Sequence, residues 1–480
     1  MRKVLLMTTA ILVTVVLSSF GKQGYDVQVK APGVKDSMAY LAYYYGKALP
    51  NLYKRDSAKF DKSGVAHFHS DDSSFTGGIY IILLSDKKTY FEFLLNNGDE
   101  LSITANLSKL PDGLKFKNSP ENERFVEYMT FLRGYGTGQE ALKKELAEAK
   151  TAADTAAVRK KASATSKDLS NYRHHYIEQY PNTLLSAIFS ALEVPQVPAG
   201  DHFLADGKTR DTTFAYRYYK AHYWDGFDFQ DERLIHTPIY DAKLEEYMTK
   251  WIVQWPDSVE HESDMLLKKA RGTRDIFKYT LWWLTRDVES SKVMGMDEAF
   301  VYLVENYYMK GDAYWLSNDE LTKYTDRAMK IAPNVLGNLA PEVKLINVYN
   351  GKEESMLDMK APYTLLIFYS PDCSHCQKEL PEIDSLYEAV LKEKGVKVYT
   401  VATEGDDKKI AEFLTKNKLE KWTNTWDPEH TGDWRGKYDV FSTPTIYLMD
   451  EKKIIRGKKL DHTNILPVLE MLEKKVKSKK

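Results

Sequence analysis

The chain has 480 residues, 43% hydrophobic and 28% charged, with 67 lysines and arginines against 69 aspartates and glutamates. That length corresponds to about three ordinary domains, and the composition excludes a disordered, collagenous or polytopic membrane chain. A net charge of −2 lacks the basic footprint of a nucleic-acid binder, and only two cysteines, Cys373 and Cys376, are present, too few for a disulfide framework or a four-cysteine zinc site.

The chain opens with the basic Met1-Arg2-Lys3, then an apolar run from Val4 to Leu17 broken only by threonines, then Ser18, Ser19 and Gly21. This is the pattern of a secretory signal peptide over residues 1–21, cleaved near Gly21, and it predicts export to an oxidising compartment. Residues 25–118 read as β: Tyr25–Lys30 and Leu101–Ala105 alternate, Gly78–Leu84 is continuously apolar, and Ser63-Gly64 and Asn96-Asn97-Gly98 supply turns. An antiparallel sandwich or barrel is expected there.

At Ser119-Pro120-Glu121 the pattern changes to an N-cap, a first-turn proline and acidic first-turn residues. From 119 to 335 the sequence predicts an all-α region, with aromatics at helical spacing in its later half. A linker from Pro333 to Pro341 leads into 336–480. There we expect strands at Val343–Tyr349, Ser355–Met359 and Tyr363–Tyr369, a helix at Ser374–Glu393, a strand at Val396–Thr403 and a helix at Asp407–Asn417. A hairpin of Thr445–Met449 with Lys453–Arg456 and a last helix at Asn464–Lys477 complete the order. The whole reads as a multidomain chain: a β domain, an α region and a C-terminal α/β domain with a right-handed βαβ half.

The chemistry sits at Phe368-Tyr-Ser-Pro-Asp-Cys373-Ser-His-Cys376-Gln-Lys-Glu379. A strand ends at Tyr369 and the next helix is expected to begin at the first cysteine. Two cysteines one turn apart can bridge, but so short a loop removes little chain entropy, so the disulfide suits a switch better than a staple. The helix N-terminus favours thiolate at Cys373, with His375 beside the same sulfur, while Cys376 lies deeper. Cys373 is therefore the expected nucleophile and Cys376 the resolving thiol. A haem attachment site is excluded because Gln377, not histidine, follows the second cysteine. A metal site lacks further ligands, and Ala66-His67-Phe68-His69, two histidines on one strand face, lacks a third. Downstream, Thr443-Pro444 precedes a strand; a proline there cannot donate to the ladder, which fits an edge strand or, in a thioredoxin fold, a Thr443 backbone left to meet an extended substrate. No phosphate-cradling glycine loop or nucleophile elbow is present, and no cofactor or metal is expected.

The residues Cys373-Ser-His-Cys376, Glu379, Pro381 and Thr443-Pro444 resemble the thioredoxin-like domain of the TlpA/ResA class of bacterial envelope thiol–disulfide oxidoreductases. The resemblance spans about residues 335–480, and the preceding regions resemble extensions often joined to such domains. It implies a thioredoxin fold, a periplasmic location, protein thiols and disulfides as substrates, and a membrane electron donor as partner. It also implies that Pro444 is cis and faces the cysteines, and that Glu379 assists proton movement near them. Two departures bear on the direction of electron flow: Asp372 stands where ordinary thioredoxin has tryptophan, and Ile367 where it has a buried aspartate. The reading is a reductase, with Cys373, Cys376 and Glu379 catalytic and His375, Thr443 and Pro444 meeting the substrate. The alternatives are an oxidase or isomerase, and a scaffold that uses the same domain for docking.

Overall fold

The computed structural model describes residues 22–478 apart from Asp36 and Thr431, with side chains as far as Lys474. The expected signal peptide lies outside the described residues. Among those residues no helix is long and apolar enough to cross a membrane. The chain forms two compact units that divide after Tyr247.

The first unit begins with strands β1 (Tyr25–Lys30), β2 (Met38–Tyr43), β3 (Tyr53–Lys59), β4 (Val65–Ser70), β5 (Gly78–Leu84), β6 (Tyr90–Leu95), β7 (Asp99–Ala105) and β8 (Leu114–Lys117). They make two four-stranded sheets, in the orders β4-β1-β7-β8 and β3-β2-β5-β6. Alternation puts Val27, Val29, Phe68 and Ile103 of one sheet against Leu41, Ile82 and Phe93 of the other in one core, which is a sandwich. Its pairings are antiparallel except β1 with β7, which run parallel, β1 lying between β4 and β7. Helices α1 (Pro120–Glu148), α2 (Ala152–Gln179), α3 (Leu184–Ala191), α4 (Phe214–His222) and α5 (Tyr240–Glu246) follow. Ser119 precedes α1 as expected but caps no N–H; its hydroxyl instead accepts from Asn122 Nδ2 at 2.8 Å.

The second unit holds α6 (Pro256–Ala270), α7 (Asp275–Ser290), α8 (Asp297–Leu303) and α9 (Asn318–Ile331), then a seven-stranded sheet. Its strands are β9 (Lys344–Asn347), β10 (Glu353–Ser355), β11 (Tyr363–Tyr369), β12 (Val396–Ala402), β13 (Thr423–Trp426), β14 (Thr445–Asp450) and β15 (Ile455–Lys458). The order is β10-β9-β13-β12-β11-β14-β15. The short β13 is absent from the sequence-based order, and the strand expected at Ser355–Met359 ends at Ser355. Helices α10 (Cys376–Leu386), α11 (Asp407–Lys416), α12 (Trp434–Lys437) and α13 (Ile465–Ser478) complete the unit.

β11 is central and covered on both faces, which is why Tyr363–Tyr369 reads as a run that is apolar at every position except the buried Thr364. With the strand period of two, Leu365, Ile367 and Tyr369 pack with Cys376, Leu380 and Ile383 of α10, while Leu366 and Phe368 pack with Trp434, Tyr438 and Tyr447 on the opposite face. Ile367, at the place of the buried aspartate, is wholly buried among apolar neighbours.

Candidate active site

Strand register brings the two sequence motifs together. β11 runs parallel to β12 and antiparallel to β14, with Phe368 opposite Thr445. The chain leaving β11 at Tyr369 therefore emerges beside the chain entering β14, and the turn at Cys373 meets Thr443-Pro444. The Thr443–Pro444 peptide is cis. The Cys373 thiol donates to the Thr443 carbonyl at 3.1 Å, so the backbone expected to await substrate is engaged by the Cys373 sulfur itself.

The helix starts later than the sequence suggests, at Cys376 with His375 as its cap. Pro371 to His375 form a turn in which Cys373 N–H donates to Ser370 O at 3.2 Å. Cys373 thus sits just outside the helix, and its sulfur accepts the Cys376 N–H, the first helical donor, at 3.4 Å. The expected effect of the helix end survives the shift, because one of its otherwise unpartnered N–H groups points at the sulfur.

Partial burial alone would raise the Cys373 thiol. Hydrogen bonds from the Thr443 side chain and from the Cys376 and His375 backbone N–H groups outweigh it, and the thiol lies below its ordinary value. Cys376 is fully buried, and burial first, then the neighbouring Cys373 sulfur, push its thiol up to about 12, against a hydrogen bond from the Ser370 backbone. The two thiols are therefore unlike: one partly exposed and acidified, the other enclosed and held protonated. No disulfide joins Cys373 and Cys376 in this structure.

The remaining residues singled out in the sequence fall as follows. His375 is exposed, and what it offers the sulfur is its backbone N–H. Glu379 lies three residues after Cys376 on α10, hence on the same helix face. Its carboxylate is occupied by a residue the sequence did not reveal: His462 N–H donates to Oε1 at 2.5 Å, and the His462 ring nitrogen Nδ1 lies 3.0 Å from Oε2. The hydrogen bond to Glu379 is the main reason the imidazole is raised above its usual value. Asp372 pairs with Lys409 of α11 at 2.5 Å, which offsets the negative charge next to Cys373. Lys409 and His462 lie 37 and 83 residues from their partners in sequence, with no local pattern to announce them.

Among the described residues no group of three or more histidine, cysteine or acidic side chains is disposed to hold a metal ion. The histidines of β4 instead meet Asp26 of β1, His67 Nε2 at 2.9 Å and His69 Nδ1 at 3.3 Å.

Similarity to known proteins falls on this part of the chain and on the helical region before it. Residues 336–458 match the AhpC/TSA family, and residues 176–334 match a domain of unknown function, DUF5106. Sporulation thiol-disulfide oxidoreductase A of Bacillus subtilis is 30% identical over 122 residues, covering 25% of this chain and 72% of that protein. The thiol-disulfide oxidoreductase ResA of Oceanobacillus iheyensis is 26% identical over 129 residues, covering 25% of this chain and 65% of that protein. Among solved structures, a domain of a possible thiol-disulfide isomerase from Cytophaga hutchinsonii is 31% identical, with a TM-score of 0.29, over 31% of this chain and 99% of that one. A thioredoxin-like protein from Bacteroides caccae is 18% identical, with a TM-score of 0.45, over 58% of this chain and 99% of that one. Through its thioredoxin-like C-terminal domain, the chain belongs to the thiol-disulfide oxidoreductases of the ResA/TlpA type within the AhpC/TSA family.

Proposed function

We propose that the protein is a periplasmic reductase of protein disulfides that works through Cys373 and Cys376. The single observation that carries the exchange chemistry is the unlike environment of the two thiols; the reducing direction is taken from Glu379, which stands where the reductants of the resembled class carry a glutamate. The Cys373 thiolate attacks one sulfur of a client disulfide, forming a mixed disulfide and releasing the other client sulfur as a thiol. Cys376 then loses its proton and attacks the Cys373 sulfur, forming the Cys373–Cys376 disulfide and releasing the second client thiol. Two electrons and two protons pass to the client, and the enzyme disulfide is then reduced by a thiol or by a membrane electron donor.

A thiol held near 12 does not ionise unaided at neutral pH, so the second step needs a base. Glu379, one turn along the same helix face, is the group we assign to it, with His462 holding its carboxylate. Thr443 and Pro444 position the client backbone, and the exposed His375 borders it. Residues 1–21 act as the export signal, and residues 25–118, 119–335 and 336–480 serve as the β, helical and redox domains. The opposite direction of flow is favoured by one feature, the acidified Cys373, since stabilising the thiolate of the reduced pair makes its disulfide a stronger oxidant.

The test is the Cys376→Ser variant, which should retain client proteins on Cys373 as mixed disulfides. Equal yields from Cys373→Ser would overturn the assignment.

A further inference from the structure

A surface unused by this chemistry adjoins the site. From Pro444 a cavity of about 370 Å³ extends past Thr445 and Tyr447 to Arg327 of α9. A second cavity, of about 570 Å³, continues along α9 and shares Arg327 and Phe441 with the first. Phe441 lies two residues before Thr443 and is 80% exposed, an unusual state for a ring of its size. The Arg327 guanidinium sits 5.1 Å from the centre of that ring and pairs with Glu289, so the aromatic is steadied against α9. Leu316 and Tyr324 supply the apolar lining beyond it.

The helical side of this groove is fixed to the sheet by buried polar contacts. Lys458 of β15, 2% exposed, pairs with Asp297 of α8 and donates to Asn334 Oδ1 at 2.7 Å. Asn334 Nδ2 donates in turn to the carbonyls of Lys330 at 2.6 Å and Lys437 at 2.9 Å. The ends of α8 and α9 are thereby tied to β15, which pairs with β14, and to α12, whose chain leads on to the cis proline, and they form a standing wall rather than a tethered appendage.

We infer that this double groove seats the extended polypeptide that flanks the client's reacting cysteine, with an apolar or aromatic client side chain against Phe441, Tyr324 and Leu316. The inference rests on the proposed redox role and names its substrate class: polypeptide disulfides with hydrophobic flanks, read in part by the helical region. The groove is continuous with Pro444, where the client backbone must lie for its sulfur to reach Cys373. A small disulfide would fill only that end, whereas two adjoining cavities of this size hold several residues of chain. The lining does not favour an anion, since Glu289, Glu320 and Asp326 balance Lys323, Arg327 and Lys330. An exposed aromatic beside arginine is instead the composition of a protein-binding centre.

The experiment measures kcat/KM of the full chain with insulin and with bis(2-hydroxyethyl) disulfide, for wild type, Phe441→Ala, Phe441→Tyr and Leu316→Ala. For Phe441→Ala the ratio of the insulin value to the small-disulfide value should fall about tenfold, as expected for truncating an aromatic anchor. Leu316→Ala should lower it in the same sense, and Phe441→Tyr should restore it. An unchanged ratio in both alanine variants, with wild type active on both substrates, overturns the groove alone. Wild type inactive on both substrates overturns the redox role and the groove with it.

Discussion

The clearest quantitative consequence of the site concerns the two thiols when each is left alone. Cys376 is pushed up to about 12, chiefly because it has no exposed surface, whereas Cys373 lies below the ordinary value of 9.0. Taking that ordinary value as the upper bound for Cys373, the gap is about three pH units, or roughly 4 kcal/mol between the two ionisations. At any pH below both values, the thiolate fractions then differ by a factor on the order of 10³, and alkylation follows the thiolate. Reduced Cys376→Ser should therefore react with iodoacetamide at Cys373 with a pH midpoint below 9.0. Reduced Cys373→Ser should react on the order of 10³ more slowly at pH 7.5. Removing Cys373 deletes one secondary cause of the high Cys376 value but leaves burial, the largest, in place. Alkylation rates are read by intact mass over pH 5 to 10. Rates of the two single-cysteine variants within tenfold of each other at neutral pH would refute the assignment of nucleophile and resolving thiol.

Two further consequences concern the surroundings of the site. The His462 imidazole is raised by its hydrogen bond to Glu379, so the contact stabilises the fold fully below the unfolded histidine value of about 6.5 and fades as pH rises through the folded value. Because the pair is partly exposed, its worth is within about 1 kcal/mol. Urea unfolding should show His462→Gln losing more stability relative to wild type at pH 5.5 than at pH 8.5, and the reverse order would contradict this contact. In the wall of the groove, Lys458→Met leaves Asp297 buried without its cation and should cost about 3–5 kcal/mol. The double variant Lys458→Met/Asp297→Leu should recover most of that loss, and equal losses in single and double variants would show that the pair is not the cause.

The elements that were legible in the sequence are those set by local pattern. The largely apolar Tyr363–Tyr369, the cysteines after it and Thr443-Pro444 before the next strand are readable without coordinates, and register brings these ends together. The helix begins at Cys376 rather than at Ser374, because a turn through Pro371 to His375 cannot be told by composition from a first helical turn. Strand β13 has no sequence signature because Thr-Asn-Thr-Trp does not alternate; Asn424 and Thr425 are buried polar residues satisfied by Leu419, Trp422 and Thr400. His462 against Glu379 and Lys458 against Asp297 and Asn334 join segments 83 to 161 residues apart, and only the folded sheet determines such neighbours. The same long-range contacts place α6 to α9 in one compact unit with the redox sheet.

The central claim is that Cys373 exchanges disulfides with polypeptide clients and that Cys376 resolves the adduct. Its most direct measurement is the mass of covalent adducts on the full chain after incubation with an unfolded, disulfide-bonded polypeptide. Cys376→Ser should accumulate a mixed disulfide mapped to the Cys373 peptide and released by dithiothreitol, wild type should pass through it without accumulation, and Cys373→Ser should carry none. Adducts on Cys376 in the Cys373→Ser variant, at the yield seen on Cys373 in the reciprocal variant, would contradict the account.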